Sequence, residues 1–352
     1  MADSATILIP DISGYTEFLT KTELVHSSHI INELLEAILA ANEGEFELSE
    51  VEGDALLLYR KGKPVEADAL VRLCLRMFES FHRQVKLIER DSVCPCGACK
   101  TTTNLTLKFV AHRGIVQEIK VRHFTKCSGV DMIVAHRLLK NRIGSSEYIL
   151  ATPSCLDCST LQLTAGALAW ERGSDEYAAI GTIHYQYASL ADVRRAIADP
   201  PARTSPVVEL GDHSVAVEID APMQQVHQLV IDLDRRPEWL TAVERLDRPA
   251  TTERIGLRHT CIFHGLTVDW ETVKSEIGEN EILYVEEGRI RERDLTARAS
   301  FVIGRIGERR TFLRFHAKWL STPEPPPEMT SAILADYKRG LETIKSLCES
   351  GR

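Results

Sequence analysis

The chain has 352 residues, with 42 Lys+Arg against 51 Asp+Glu, a net charge of −9, 44% hydrophobic and 26% charged residues. This composition excludes a wholly disordered or collagen-like chain. The acidic balance argues against a general nucleic-acid binder, whose affinity rests on Lys and Arg neutralising phosphates, and at about 150 residues per domain the length predicts about two domains.

The chain starts Met1-Ala2-Asp3-Ser4, acidic rather than basic. The apolar run at 5–9 is too short for a signal-peptide core and reads as a buried strand. No apolar segment approaches the ~20 residues of a membrane helix. These features predict a cytoplasmic protein with no membrane span. Ile31, Leu34, Leu35, Ile38 and Leu39 recur at helical spacing. Phe46 and Leu48 alternate with polar residues, and Gly53-Asp54 marks a turn into the apolar strand 55–59. Leu70, Leu73, Met77 and Phe81 form the stripe of a long helix, and Leu105, Leu107, Phe109 and Ala111 alternate as a half-buried strand. Strand, helix, hairpin, helix, strand predicts an α+β sandwich of the ferredoxin-like type.

The run Asp199-Pro200-Pro201-Ala202-Arg203-Thr204-Ser205-Pro206 cannot be a helix or an inner strand, because proline fixes φ and removes donors. A linker at 199–210 therefore separates a domain at 1–198 from one at 211–352. In the second half Val215, Val217 and Ile219 alternate as a strand. Asp220-Ala221-Pro222 suits a helix start. Val226, Leu229, Val230 and Leu233 form that helix's apolar face. Strands follow near 257–263, 266–277, 282–287, 295–303 and 311–320. Leu334, Tyr337, Leu341, Ile344 and Cys348 make a closing helical stripe, expected to lie in the concavity of a curved antiparallel sheet.

Two carboxylates stand out by position. Asp11 ends the first strand, in Ile9-Pro10-Asp11-Ile12-Ser13-Gly14-Tyr15-Thr16-Glu17-Phe18, and Asp54 ends the hairpin turn Glu50-Val51-Glu52-Gly53-Asp54. If the first strand lies beside the hairpin, the two can face each other across a cation. Mg²⁺ takes one or two carboxylates plus phosphate oxygens, and the small segment Ser13, Gly14, Tyr15 and Thr16 offers backbone amides to a polyphosphate. The plain alternative is that Asp11 caps a helix and Asp54 is a turn residue.

These segments resemble class III adenylate and guanylate cyclases. Ile9-Pro10-Asp11-Ile12-Ser13-Gly14-Tyr15-Thr16-Glu17-Phe18-Leu19 looks like the family's first metal motif, and Glu50-Val51-Glu52-Gly53-Asp54-Ala55 like the second. Leu107-Lys108-Phe109-Val110-Ala111-His112-Arg113-Gly114 is similar to its strand-turn-strand segment. Ser128-Gly129-Val130-Asp131-Met132-Ile133-Val134-Ala135-His136-Arg137 resembles its transition-state helix. The resemblance covers about residues 5–190. It implies a cyclase-type α/β sandwich and a homodimer. It further implies Mg²⁺ or Mn²⁺ on Asp11 and Asp54, a nucleoside triphosphate as ligand, Arg137 as the transition-state arginine, and Glu50 and Lys126 at the base-reading positions. Two departures are visible. Ile133 stands where the family places an Asn donor, and the triphosphate-binding Lys is not evident around Ile180-Gly181-Thr182-Ile183. Glu50 shares strand parity with Phe46 and Leu48, so it is expected to point inward and pair with Lys126.

Five of the nine Cys cluster in sequence: Cys94, Cys96 and Cys99, then Cys155 and Cys158. Zinc in a structural site takes four ligands, so three local thiols with Cys155 or Cys158 make a candidate Zn²⁺ site. Loop thiols without metal are the alternative. Cys127 falls near the expected nucleotide pocket, and Cys74 and Cys348 read as core.

Val215-Ala216-Val217-Glu218-Ile219-Asp220-Ala221-Pro222-Met223-Gln224-Gln225-Val226 and Asp232-Leu233-Asp234-Arg235-Arg236-Pro237-Glu238-Trp239-Leu240 resemble the START-like superfamily, which includes polyketide cyclases and lipid-transfer proteins. The resemblance covers about 211–349 and implies a helix-grip fold with an apolar cavity for a hydrophobic small molecule. His259, His264, Arg291 and Arg298 are within reach of that cavity, but the preferred reading of each is a solvated strand-face residue. The sequence thus predicts a cyclase-like metal- and nucleotide-binding domain of weak or no activity, coupled to a START-like module. An active purine cyclase and a non-enzymatic ligand-binding protein that uses its first domain as a dimerisation scaffold are the alternatives.

Overall fold

The computed structural model describes residues 3–20, 24–155, 168–178 and 180–350. They form two compact units, Met1–Arg90 with Cys96–Pro200, and Asp91–Pro95 with Pro201–Arg352.

The first unit opens with β1 (Asp3–Ser13), α1 (Tyr15–Thr20) and α2 (Leu24–Asn42). The hairpin β2 (Glu47–Glu52) and β3 (Ala55–Lys61) follows, then α3 (Ala67–Asp91) and the short α4 (Gly97–Thr101). Next come β4 (Thr106–Val121), β5 (Phe124–Ser128), α5 (Val130–Leu138), β6 (Tyr148–Ala151), β7 (Trp170–Tyr177), β8 (Gly181–Ser189) and α6 (Ala191–Ala196). The sheet order is β2-β3-β1-β4-β6-β8-β7, with β5 paired to β4. Among the described residues only the β4–β6 pair runs parallel. The mixed α+β class is as expected. β1 reads as a continuous apolar run because it lies between β3 and β4 and is buried on both faces. On α3, Leu70, Leu73, Cys74, Met77, Phe78, Phe81, Val85 and Ile88 are buried at steps of one to four residues, as an amphipathic helix requires.

One strand face differs from expectation. Leu48 is 44% exposed, although it alternates with the buried Phe46. The β2–β3 register shifts between Leu48 and Glu50, so simple alternation fails there. Glu50 therefore does not point into the core.

The second unit is one antiparallel sheet of seven strands in the order β10-β11-β12-β13-β14-β15-β9. These are β9 (His213–Ile219), β10 (Val243–Asp247), β11 (Arg258–Phe263), β12 (Leu266–Ile277), β13 (Glu281–Ile290), β14 (Leu295–Gly307) and β15 (Arg310–Trp319). Helices α7 (Met223–Ile231) and α8 (Arg236–Trp239) connect β9 to β10, and α9 (Pro327–Ser350) closes the chain. Tyr337, Leu341, Ile344 and Cys348 of α9 are buried. Tyr337 stacks on Phe315 of β15, with ring centroids 3.6 Å apart. Cys348 is core, and so is Cys74 in the first unit.

Candidate functional site

The carboxylate pair forms because β1 lies between β3 and β4. Asp11 stands opposite Ala55 on one side and Lys108 on the other. The Ile12 amide donates to the Asp54 carbonyl at 3.0 Å, which fixes the hairpin turn beside Asp11. Asp11 Oδ2 lies 2.9 Å from Lys108 Nζ, and their side chains are only 13% and 18% exposed. Burial, and then the Asp11 charge, push the Asp54 carboxyl up to about 6. Two residues beyond Asp11 toward α1, Ser13 has a buried hydroxyl without a hydrogen-bond partner. Two carboxylates and an orphaned hydroxyl suit a hard divalent cation, which prefers oxygen ligands. Lys108 contacts the Asp11 carboxylate directly and only partly offsets Asp54, whose carboxyl is still pushed up by burial and by Asp11. Sequence reasoning missed Lys108; the signal was an alternating strand placing a lysine directly across from Asp11.

A separate cavity of about 500 Å³ is lined by Glu50, Glu52, Lys126, Ile133, His136 and Arg137, among others. It brings together both base-reading positions and the arginine, but Asp11 and Asp54 do not line it. Lys126 Nζ lies 3.3 and 3.4 Å from the two Glu50 carboxylate oxygens. The expected pair therefore exists, at the cavity rim rather than buried: Lys126 is 53% exposed and Glu50 26%. The Cys127 amide donates to Ser49 Oγ at 3.0 Å, tying β5 to β2. Ile133 is 52% exposed on the cavity wall. Arg137 is exposed and has no carboxylate partner among the described residues.

Helix α5, which carries Ile133 and Arg137, is held by a polar clamp. Asp131 Oδ2 accepts from the Ile115 amide at 2.6 Å, and Asp131 Oδ1 lies 3.0 Å from His112 Nε2. A Cβ on Gly114 would sit 1.9 Å from the Asp131 carboxyl carbon, so only glycine admits this contact. Gly129, at φ +145°, precedes the helix, and its Cβ would lie 2.9 Å from the Ile115 carbonyl oxygen.

The cysteines regroup. His26 of α2 joins Cys94, Cys96 and Cys99, and the four ligand atoms all lie within 4.8 Å of one another. Cys155 is buried elsewhere, where its amide donates to the Thr152 carbonyl at 2.9 Å, and it is not part of the group. Cys158 lies outside the described residues. The fourth candidate donor is thus an imidazole far upstream in sequence, which no Cys spacing could signal.

In the second unit an apolar cavity of about 240 Å³ lies among β11 to β15 and α9, with Phe263, Trp270, Ile290 and Trp319 in its wall. His264 and Arg298 reach it. His264 Nε2 lies 3.0 Å from Asp336 Oδ2, and Arg298 is bidentate on Glu287 Oε1 at 3.0 and 2.7 Å. Arg291 does not line it and instead grips Asp269 at 2.6 and 2.7 Å. His259 is neither solvated nor in the cavity. It is 3% exposed, lies 3.2 Å from Arg236 Nη1, and burial pushes its pKa down to about 4. Arg236 donates to Glu286 at 2.8 Å, and Tyr284 donates to the other Glu286 oxygen at 2.8 Å.

The fold and these sites define a two-unit α+β protein with a strand-borne carboxylate pair in one unit and an apolar cavity in the other. A family profile described as "Protein of unknown function (DUF2652)" matches residues 31–148. The uncharacterized protein Rv2561/Rv2562 of Mycobacterium tuberculosis (strain ATCC 25618 / H37Rv) is 34% identical over 165 residues, 45% of this chain and 73% of that protein. The chain belongs to the family of that protein. Among solved structures, the guanylate cyclase domain of RhGC from Catenaria anguillulae in complex with GTP is 17% identical, covering 54% of this chain and 98% of that one, at a TM-score of 0.40. The guanylyl cyclase Cya2 is 14% identical over 53% of this chain and 92% of that one, also at 0.40. The adenylyl cyclase CyaB from P. aeruginosa is 12% identical over 54% and 94%, at 0.38. At such scores the likeness is partial, and the functional reading rests on the residues.

Proposed function

We propose that the first unit binds a purine nucleoside triphosphate together with Mg²⁺ or Mn²⁺, with weak or no turnover. We propose further that the second unit is a START-like module for a hydrophobic small molecule. The observation that carries the first reading is the Asp54 carboxyl, held beside Asp11 with its charge only partly offset by Lys108. Asp11 and Asp54 would hold the cation, with the Ser13 hydroxyl as a further oxygen. A bound divalent ion neutralises phosphate charge and polarises the oxygens it touches.

The chain's own residues set the limits of turnover. Ile133 stands on the cavity wall where the resembled family has an amide donor, and a hydrocarbon offers no hydrogen bond to developing charge. Loss of one positioned donor lowers rate by ~10²–10³. Glu50 and Lys126 engage each other, so a base must open that pair to be read. The pair is partly solvated, so opening it costs about 0–1 kcal/mol. The exposed Arg137, with no carboxylate partner among the described residues, supports an arginine offered to a second copy or a nucleotide. The apolar wall of the second cavity supports a ligand whose binding energy is hydrophobic burial.

Calorimetric titration of the full chain with GTP and ATP, in Mn²⁺, Mg²⁺ and EDTA, tests the first reading. Binding that needs the metal and is lost in Asp54→Ala is the expected result. Binding unaltered by EDTA would sink it. Rapid cyclic product formation would move the reading to an active cyclase. Native mass spectrometry for a co-purified apolar ligand tests the second unit.

A further inference from the structure

We infer that His26, Cys94, Cys96 and Cys99 form a structural zinc site, independent of the nucleotide reading. Four donor atoms within 4.8 Å of one another is the first observation. In a tetrahedral site with Zn–S ≈ 2.3 Å and Zn–N ≈ 2.0–2.1 Å, neighbouring sulfurs sit roughly 3.8 Å apart and sulfur and nitrogen roughly 3.5 Å. His26 Nδ1 lies 3.2 Å from Cys96 Sγ, so a small adjustment admits the ion.

The local chain is shaped for it. Cys96 caps α4, and its sulfur accepts from the Cys99 amide at 3.5 Å, a bond that favours the thiolate a metal needs. Cys94 precedes Cys96 by one proline, so the short chain between them carries its sulfur there. No disulfide joins the three cysteines, and all are buried. Thiolate-rich sets select soft or borderline ions, and a four-coordinate Cys₃His set with no open position is a structural zinc set. Three thiolates and a neutral imidazole leave the complex with one net negative charge.

The site has a place in the fold. His26 sits on α2, and α4 packs against both α1 and α2. The segment after α4 backs the turn beyond Asp11: a Cβ on Gly14 would lie 3.4 Å from the Asn104 carbonyl oxygen. Zinc would therefore pin the helices that follow β1 to the chain that supports that turn.

The test is metal quantification on the full chain, purified without chelator, with cobalt substitution as the spectroscopic probe. One zinc per chain is expected, with a cobalt spectrum of tetrahedral geometry and thiolate charge transfer. Cys96→Ser and His26→Ala should each weaken zinc binding by more than the roughly 10–100-fold that loss of an outer-shell partner gives. His26→Cys should keep the metal and add a fourth sulfur to the cobalt spectrum, so the inference stays testable if Cys96→Ser fails to fold. Cys155→Ser should keep full occupancy. Substoichiometric zinc in the wild type after refolding with zinc would overturn the site. So would unchanged zinc affinity in His26→Ala, or loss of zinc in Cys155→Ser as large as in Cys96→Ser.

Discussion

Asp54→Asn is expected to stabilise the metal-free first unit at neutral pH and to abolish its response to divalent ions. The folded carboxyl is raised from 3.8 to about 6 by burial and by Asp11. That rise corresponds to about 3 kcal/mol for a fully buried group, and partial exposure of Asp54 reduces this to about 1–2 kcal/mol. The sign follows from the raised value. The folded state favours the protonated acid, so the penalty is absent below pH 3.8, grows between 3.8 and 6, and is full above 6. Asparagine has no such penalty. Thermal unfolding at pH 4.5 and pH 7.5, in EDTA, should therefore show a small difference at the lower pH and a larger one at the higher. For a unit of roughly 190 residues, each kcal/mol moves the midpoint by about 2–4 °C. His82 also titrates in acid, but it is common to both proteins and cancels in the difference. Mn²⁺ at pH 7.5 should raise the wild-type midpoint and leave the variant unchanged. A variant less stable than wild type at both pH values would refute the reasoning, because Asp54 would then be a net stabilising partner of Lys108.

Further outcomes follow from the same geometry. Lys108→Met leaves Asp11 without its ammonium and should destabilise the metal-free unit by about 3 kcal/mol; denaturant titration with and without Mn²⁺ should show the divalent ion recovering part of it. Arg236→Met strands the buried Glu286, 1% exposed, and should cost about 3–5 kcal/mol; adding Glu286→Leu should recover much of the loss in the same assay. His227 and His259 are held down to about 4 by burial, against an ordinary 6.5. Their contribution is present above pH 6.5 and is lost as pH falls toward 4, so the second unit should unfold more readily across that window, by about 3 kcal/mol per histidine at most. His227→Phe should flatten the profile. Ile133→Asn should raise any cyclase turnover by ~10²-fold, measured with Mn²⁺ and GTP; an unchanged rate would mean that the missing donor is not what limits turnover.

What the sequence made legible was whatever periodicity and turn chemistry carry. The apolar run of β1, the stripe of α3 and the closing stripe of α9 follow from burial of one face or two, and Gly53-Asp54 follows from the needs of a tight turn. Glu50 shows where that logic stops. Parity counted from Phe46 assumes an unbroken pleat, and a register shift between Leu48 and Glu50 removes the assumption. The same motif that misplaced Glu50 in depth still placed it correctly beside Lys126, because the Cys127 amide donates to Ser49 Oγ and holds β5 next to β2 despite the shift. β6, β7 and β8 gave no readable apolar signal of their own: β6 is only four residues, and β7 is a polar edge strand with one buried position.

The site residues were legible in the same uneven way. Asp11 and Asp54 belong to neighbouring strand ends, so a strand and a hairpin read from sequence already bring them close. Lys108 and His26 come from distant segments, and a contact between distant segments is a property of the fold rather than of spacing. Lys108 changes the chemistry most. Two half-buried carboxylates demand positive charge, and the chain supplies one cation from its own β4. On the proposed reading Asp54 alone then calls for charge from outside, so the site would take one further cation. The nearby Ser13 hydroxyl, buried without a partner, leaves an oxygen for that cation to use. Under the proposed function, a domain that keeps this demand for a cation yet presents Ile133 on its cavity wall would hold a metal and a nucleotide more readily than it would turn the nucleotide over.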